Sequence, residues 1–328
     1  MEDLQGILSA LRGLPMSEPK DVTIRGHAIQ DGQGSYIAIE ESGYAMFLIP
    51  VGESLSVGLP IKLANLWADF GVSCDIRHPD GEIRTGRYSI ICLSSRDSEL
   101  ESYFVTVMRG VIHALPYPLD GERIAAVIRG VVELFRAALK AEARSVIGLW
   151  AELFVIVSSR QPGMLLSAWH ADSHELFDLS LGDQVIEVKA SVDRSRRHHF
   201  RLAQLWPPEG VRGIVASCLL ERATNGLTLG ELWDRARELA RFDVDLLLRV
   251  DANCLDQLGT AWNVARNAAF SEHRARSSLR FFSMGDIPRI SEHVPMGISD
   301  VEFMSNLELS EPIEVEMLRE AGGMFSSL

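Results

Sequence analysis

The stretch Phe177-Asp178-Leu179-Ser180-Leu181-Gly182-Asp183-Gln184-Val185-Ile186-Glu187-Val188-Lys189-Ala190-Ser191 contains two short apolar runs with Gly182-Asp183 between them. The runs read as strands and the Gly-Asp pair as the turn joining them. Side chains alternate faces along a strand, so Ile186, Val188 and Ala190 point one way while Glu187 and Lys189 point the other. One face is then core and the other carries charge. The turn brings the first strand alongside the second and places Asp178 near Glu187, giving two carboxylates and an amine at one end of a small sheet. Hard divalent cations favour such an oxygen cluster. Taken by itself, the same stretch also reads as an edge strand with a solvated Glu and Lys.

Upstream, Glu152 lies in Val146-Ile147-Gly148-Leu149-Trp150-Ala151-Glu152-Leu153-Phe154-Val155-Ile156-Val157. On a helix its neighbours three and four positions away are Gly148, Leu149, Val155 and Ile156, none of them polar. A carboxylate carried into an apolar helix face needs a partner, because an unpaired buried charge costs on the order of several kcal/mol. A metal site or Lys189 would supply one.

Downstream, Arg194, Arg196, Arg197, His198, His199 and Arg201 form a basic cluster, and arginine forks suit phosphate oxygens. The whole chain has the opposite sign. It carries 32 Lys and Arg against 45 Asp and Glu, a formal charge of −13, which excludes a protein that coats nucleic acid with its entire surface. Exposed charges more than ~8 Å away are largely screened at physiological salt, so contact with DNA is expected through this local patch.

The 328 residues suggest about two domains. Residues 1–98 read as a β-rich N-terminal module, with apolar runs flanking Glu41-Ser42-Gly43 and again His78-Pro79-Asp80-Gly81, the pattern of two hairpins. Helical periodicity begins near Leu100, breaks at Pro116-Tyr117-Pro118 and resumes from Glu122 to about Ala141, so residues 99–141 read as a helical connector. Further helices are expected over Ser145–Ser158 and Leu229–Ala240, with a strand over Val211–Leu220. A helical segment at Gln257–Phe270 and a strand at Leu279–Ser283 fall in residues 251–328, a C-terminal α+β extension. Gly32-Gln33-Gly34 lacks the partners of a phosphate loop and reads as a turn. Trp206-Pro207-Pro208 reads as a corner entering the next strand, and Glu311, Glu314, Glu316 and Glu320 as a solvated acidic face.

Cys74, Cys92, Cys218 and Cys254 form no CxxC pair and no disulfide framework, which fits a reducing cytoplasm. The start Met1-Glu2-Asp3-Leu4 lacks the basic region of a signal peptide, and no apolar run approaches the ~18 residues of a membrane span. A cytoplasmic protein without a membrane partner is expected.

The ordered set Glu152, Asp178, Glu187, Lys189, then His198-His199-Phe200-Arg201-Leu202-Ala203-Gln204-Leu205, resembles the PD-(D/E)XK nuclease superfamily. Within it, the set is similar to a bacterial branch encoded beside MutL-like ATPases, helicases and methylases in restriction-like antiviral clusters. Phe177 stands where the motif nominally has Pro, and the charged positions are intact. The resemblance implies an α/β fold, with a restriction-endonuclease-like core over residues 142–250 in which helices flank a mixed central sheet. It implies a Mg²⁺-dependent (or Mn²⁺-dependent) DNA endonuclease of a defence system. Asp178, Glu187 and the Val188 carbonyl would hold the metal, Glu152 a second ion, Lys189 the attacking water, and Gln204 the substrate or a further water. Implied partners are DNA and an ATPase or helicase, and self-association into a homo-oligomer is compatible with this reading.

Two alternatives differ in class. The fold could serve as a catalytically silent adaptor that binds DNA or a partner. Alternatively His170, Asp172 and His174, spaced to share one strand face, could bind Zn²⁺ in a hydrolase.

Overall fold

Leu4–Gly13 forms α1 and Ile24–Ala28 forms β1. The runs around Glu41-Ser42-Gly43 pair antiparallel as β2 (Tyr36–Ile39) and β3 (Ala45–Pro50). After the two-residue β4 (Ile61–Lys62), a second antiparallel hairpin joins β5 (Leu66–Arg77) to β6 (Ile83–Leu93). Strand order is β1-β2-β3-β6-β5-β4, and β1 also pairs with β5, in parallel, at Ile24–Arg25. Five strands therefore close into a ring. Closure relies on an irregularity in β5 between Asp69 and Val72, where Gly71 adopts φ +63°. Such a bulge bends a strand, and β5 pairs with β4 at one end and β1 at the other. On this sheet pack α1, through Leu4, Leu8 and Leu11, and α2 (Ser98–Ala114), whose Phe104 ring meets Phe47 at 5.5 Å. α3 (Gly121–Ala138) adds Phe135 against Phe104.

The computed structural model describes residues 2–14, 24–52, 58–116, 120–138, 146–170, 175–290 and 296–328. They divide into two units, Met1–Arg136 with Arg241–Leu248, and Ala137–Ala240 with Arg249–Leu328.

The second unit is the mixed α/β body. α4 (Val146–Ser158) and α5 (Pro162–Ala168) precede β7 (Leu179–Leu181) and β8 (Gln184–Ser191). β9 (Arg197–Arg201), β10 (Arg212–Leu219) and β11 (Arg222–Thr228) lead to α6 (Leu229–Leu239) and α7 (Val244–Leu258), of which the part from Arg249 belongs to this unit. Short elements follow: α8 (Trp262–Ala265), β12 (Ala269–Phe270), α9 (Glu272–Ser278), β13 (Arg280–Ser283), β14 (Glu302–Asn306) and α10 (Val315–Glu320). The sheet runs β13-β10-β8-β7, antiparallel at both edges and parallel between β8 and β10. Glycine at 182 suits the β7–β8 turn, where φ is +60°.

α4 is apolar almost all round and is accordingly buried on all sides, packed on β8 and against α6. Its Trp150 stacks on Phe154 and donates from Nε1 to the Leu227 carbonyl at 2.9 Å. Helix 257–270 is not formed as the sequence suggested. α7 ends at Leu258, Gly259 takes φ +50°, and a 3-10 turn intervenes before α8. The apolar-rich run beginning Val244-Asp245-Leu246-Leu247-Leu248 carries the longer helix instead. Among the described residues, no helix is long and apolar enough to cross a membrane.

α7 is held to α6 by a buried polar knot in which Asp251, fully buried, accepts from Trp233 Nε1 at 2.7 Å and from the Arg237 guanidinium. Removing one partner of such a pair leaves an uncompensated buried charge, which costs about 3–5 kcal/mol. Arg237→Ala is expected to lose about that much stability in chemical denaturation, and a loss below about 1 kcal/mol would show that solvent reaches Asp251.

Candidate active site

β8 delivers Glu187 and Lys189 to one face, and the preceding strand delivers Asp178 one residue before β7 begins. Asp178 Oδ2 accepts from the Val188 N–H at 2.6 Å, which ties the two strands together at the charged end. Glu152 reaches the same place from α4. Glu152, Asp178, Glu187, Val188 and Lys189 all line one cavity of about 510 Å³, joined by His170, Arg197, His199 and Gln257.

The charged face of β8 is not the solvated one of the edge-strand alternative. Glu187 is only 2% exposed. Val185 and Val215 on this face belong to a core with Phe177, Phe200, Leu205 and Phe282, because β9 and β14 pair into a ribbon that contributes Phe200 to it. Glu187 Oε1 lies 2.7 Å from Lys189 Nζ and accepts from Gln204 Nε2 at 2.5 Å. Gln204, in the 3-10 turn Leu202–Leu205, also accepts at Oε1 from Lys189 Nζ (3.4 Å) and from the Arg201 N–H (3.0 Å). Lys189 Nζ sits 5.1 Å above the Phe200 ring. Glu187 Oε2, also buried, has no hydrogen-bond partner among the described residues.

Glu152 is 6% exposed and has donors of its own: Trp169 Nε1 at 2.9 Å on Oε2, and Gln257 Nε2 at 3.2 and 3.4 Å on its two oxygens. His170 Nε2 lies 3.6 Å from Glu152 Oε2. Trp169 and Gln257 are site residues the sequence did not single out; Gln257 is supplied by α7, about 100 positions further along.

Burial pushes the Asp178 carboxyl well above the usual carboxylate range, and the neighbouring Glu187 and Glu152 push it further. Glu187 is raised by burial against the opposing pull of Lys189. Crowded, dehydrated carboxylates of this kind favour a bound cation or proton. Among the described residues, no three or more His, Cys, Asp or Glu side chains form a ready ligand set. The Asp178 and Glu187 carboxylates, the Val188 carbonyl and water nevertheless fit a small hard cation, which keeps several waters when bound. The unpartnered Glu187 Oε2 supplies a free donor.

The basic cluster separates into two groups. Arg196 turns inward, donating to Ser217 O at 2.8 Å, Ser217 Oγ at 2.9 Å and the Ser278 carbonyl. His198 is buried with Nε2 2.9 Å from Ser217 Oγ, and burial, with Lys189 and Arg196 nearby, lowers its pKa to about 4. Expected at a phosphate, both instead anchor β9 to β10. Alternation along β9 buries His198 and leaves Arg197, His199 and Arg201 exposed, and Arg194 is exposed before the strand. Of the zinc alternative, His170 faces Glu152, and Asp172 and His174 lie outside the described residues.

A family model described as "Putative PD-(D/E)XK family member" (DUF4420) matches residues 29–308. The chain belongs to this family. Its match spans every residue of the cavity, so the Asp178, Glu187 and Lys189 cluster lies within a PD-(D/E)XK-type α/β body. No curated protein and no solved structure matches the chain.

Asp178 costs stability where it is ionised. A carboxyl with a raised folded-state pKa destabilises the fold above that pKa, and the penalty disappears as the pH falls through it. Asp178→Asn keeps an oxygen to accept from Val188 N–H. In EDTA it should therefore melt higher than wild type at pH 8, with the gain shrinking toward acid; a lower midpoint across the whole pH series would contradict the burial argument.

Proposed function

We propose that this protein is a metal-dependent DNA endonuclease. The observation that carries the reading is the buried Glu187 carboxylate, with one oxygen held by Lys189 and Gln204 and the other without a partner among the described residues, in a cavity shared with Asp178. Burying carboxylates together and leaving one oxygen unpaired costs stability, and such arrangements concentrate at functional sites.

Asp178, Glu187 and the Val188 carbonyl would hold Mg²⁺ or Mn²⁺, which when bound neutralises phosphate charge and acidifies a water. Lys189 presents a compact ammonium to the phosphate and orients the attacking water. Gln204 fixes the relative positions of Glu187 and Lys189 by contacting both. Glu152, whose oxygens already accept from Trp169 and Gln257, acts on a second ion through water. Arg197 and His199, exposed on the cavity wall, meet the DNA backbone.

We further infer that the enzyme works within a restriction-like defence complex with an ATPase or helicase. The resemblance to proteins encoded in such clusters supports this. So does the net charge of −13, which leaves the chain with only a local patch for DNA and favours a partner that brings the substrate.

Arg197→Ala is expected to weaken DNA binding about equally across unrelated sequences and to reduce the slope of log affinity against log salt by about one. Arg196→Ala should instead lower the melting temperature. An unchanged slope for Arg197→Ala would move the phosphate contact off β9.

Plasmid nicking with Mg²⁺ titrated, in the presence of candidate partner proteins, tests the chemistry. Lys189→Ala should keep metal and DNA affinity and lose at least about 100-fold in rate, whereas Asp178→Ala should lose activity and metal affinity together. Equal activity in wild type and both variants would leave the adaptor reading in its place.

A further inference from the structure

β9 connects two cavities. Arg197 and His199 line the reaction cavity, while Arg201, the next outward residue, lines a second cavity of about 580 Å³ with Leu176, Leu202, Trp206 and Ile298. Alternate residues of a strand are about 6.6 Å apart, close to the spacing of successive phosphates in an extended nucleic-acid strand. Arg201 Nε is 3.4 Å from Glu302 Oε1, and both side chains are well exposed. Exposed pairs of this kind contribute little, so a phosphate can displace Glu302.

Trp206 is the floor of the second cavity. It is 49% exposed, and the Arg289 guanidinium lies 3.8 Å from the centre of its ring. Arg289 lines a different neighbouring cavity that Trp206 also borders, and does not line this one. The guanidinium stacks on the indole, and the 580 Å³ cavity is lined by Trp206 without Arg289. An oriented, half-exposed tryptophan between aliphatic walls, at the end of a row of cationic side chains, has the makings of a base-stacking platform. Asp300 on the rim can accept from a base amino group.

We propose that this cavity takes one unstacked nucleobase of the substrate strand, seated on Trp206, with the backbone running past Arg201 and His199 to Arg197 and the reaction cavity. The proposal rests on the nuclease reading and adds a substrate class to it. A base inside a continuous duplex cannot enter without leaving its stack, which costs a few kcal/mol and least where the DNA is already open. Single-stranded or locally opened DNA is the favoured substrate. The wall of the pocket is also tied to the chemistry. Leu202 and Ala203 belong to the turn that carries Gln204, and the Arg201 N–H donates to the Gln204 oxygen whose amide group contacts Glu187.

The test uses the full chain carrying Lys189→Ala, with Mg²⁺, so that binding is read without cleavage. The probe is an oligonucleotide with a single 2-aminopurine, whose fluorescence falls when it stacks, offered as a single strand and as a matched duplex. Tighter binding and quenching of the single strand are expected. Trp206→Ala should abolish the quenching and weaken single-strand binding about 10- to 100-fold, and Trp206→Phe should restore most of both. Ile298→Glu, at another residue lining the cavity, should weaken binding while leaving Trp206 and Arg289 in place, which guards against a folding defect in the alanine variant. Quenching that survives Trp206→Ala, or duplex bound as tightly as single strand, would overturn the proposal. The nuclease reading fails by a separate route, the absence of cleavage of any DNA by the parent protein together with its candidate partners, and that result leaves the fluorescence readout interpretable.

Discussion

The burial of Glu187 is the constraint from which the second unit follows. A carboxylate taken out of water needs compensation, and every element around it contributes some. β8 supplies its own Lys189 two residues on, the turn after β9 supplies Gln204, and the ribbon of β9 and β14 closes over the face that would otherwise be wet. The compensation stops one oxygen short. Buried polar atoms left unpaired among the described residues cost stability, and in a cavity of clustered carboxylates they mark a candidate for function.

Glu152 follows the same logic at one remove. An apolar helix can carry a carboxylate into the core only if donors come from elsewhere, and here they come from Trp169, just after α5, and from Gln257 at the end of α7. The Asp251 knot holds α7 against α6, and Asn253 on the same helix donates to the His170 carbonyl at 2.8 Å. Residues remote from the cavity thus set the position of the donors inside it.

The charged set was legible in the sequence because its physics is local. Period-two alternation, a Gly turn and a carboxylate among apolar helix positions all act within a few residues, and Asp178, Glu187, Lys189 and Glu152 do line one cavity. The fates of Arg196 and His198 were not legible. Whether a basic side chain in Arg194–Arg201 faces water or Ser217 depends on which face of β9 turns toward β10, a tertiary choice that the run itself does not fix. The approach of Gln257 to Glu152 was obscured by sequence distance, whereas β13 (Arg280–Ser283) forms within the run Leu279–Ser283 that reads as a strand. The sequence predicts a helix over Gln257–Phe270, but the long helix that forms is α7, Val244–Leu258, and Gly259 ends it where the expected one would begin.

The ring of strands in the first unit has a consequence for assembly. Open sheet edges are where proteins most readily add a foreign strand, and β5, the longest strand there, has β6 along one side and β4 and β1 along the other. On that second side the two ends of β5, Trp67–Ala68 and Ile76–Arg77, are already paired. A foreign strand cannot run the whole length of this edge, so a partner that recognises it has to read side chains and turns as well, a mode that depends on sequence and is correspondingly easy to make selective.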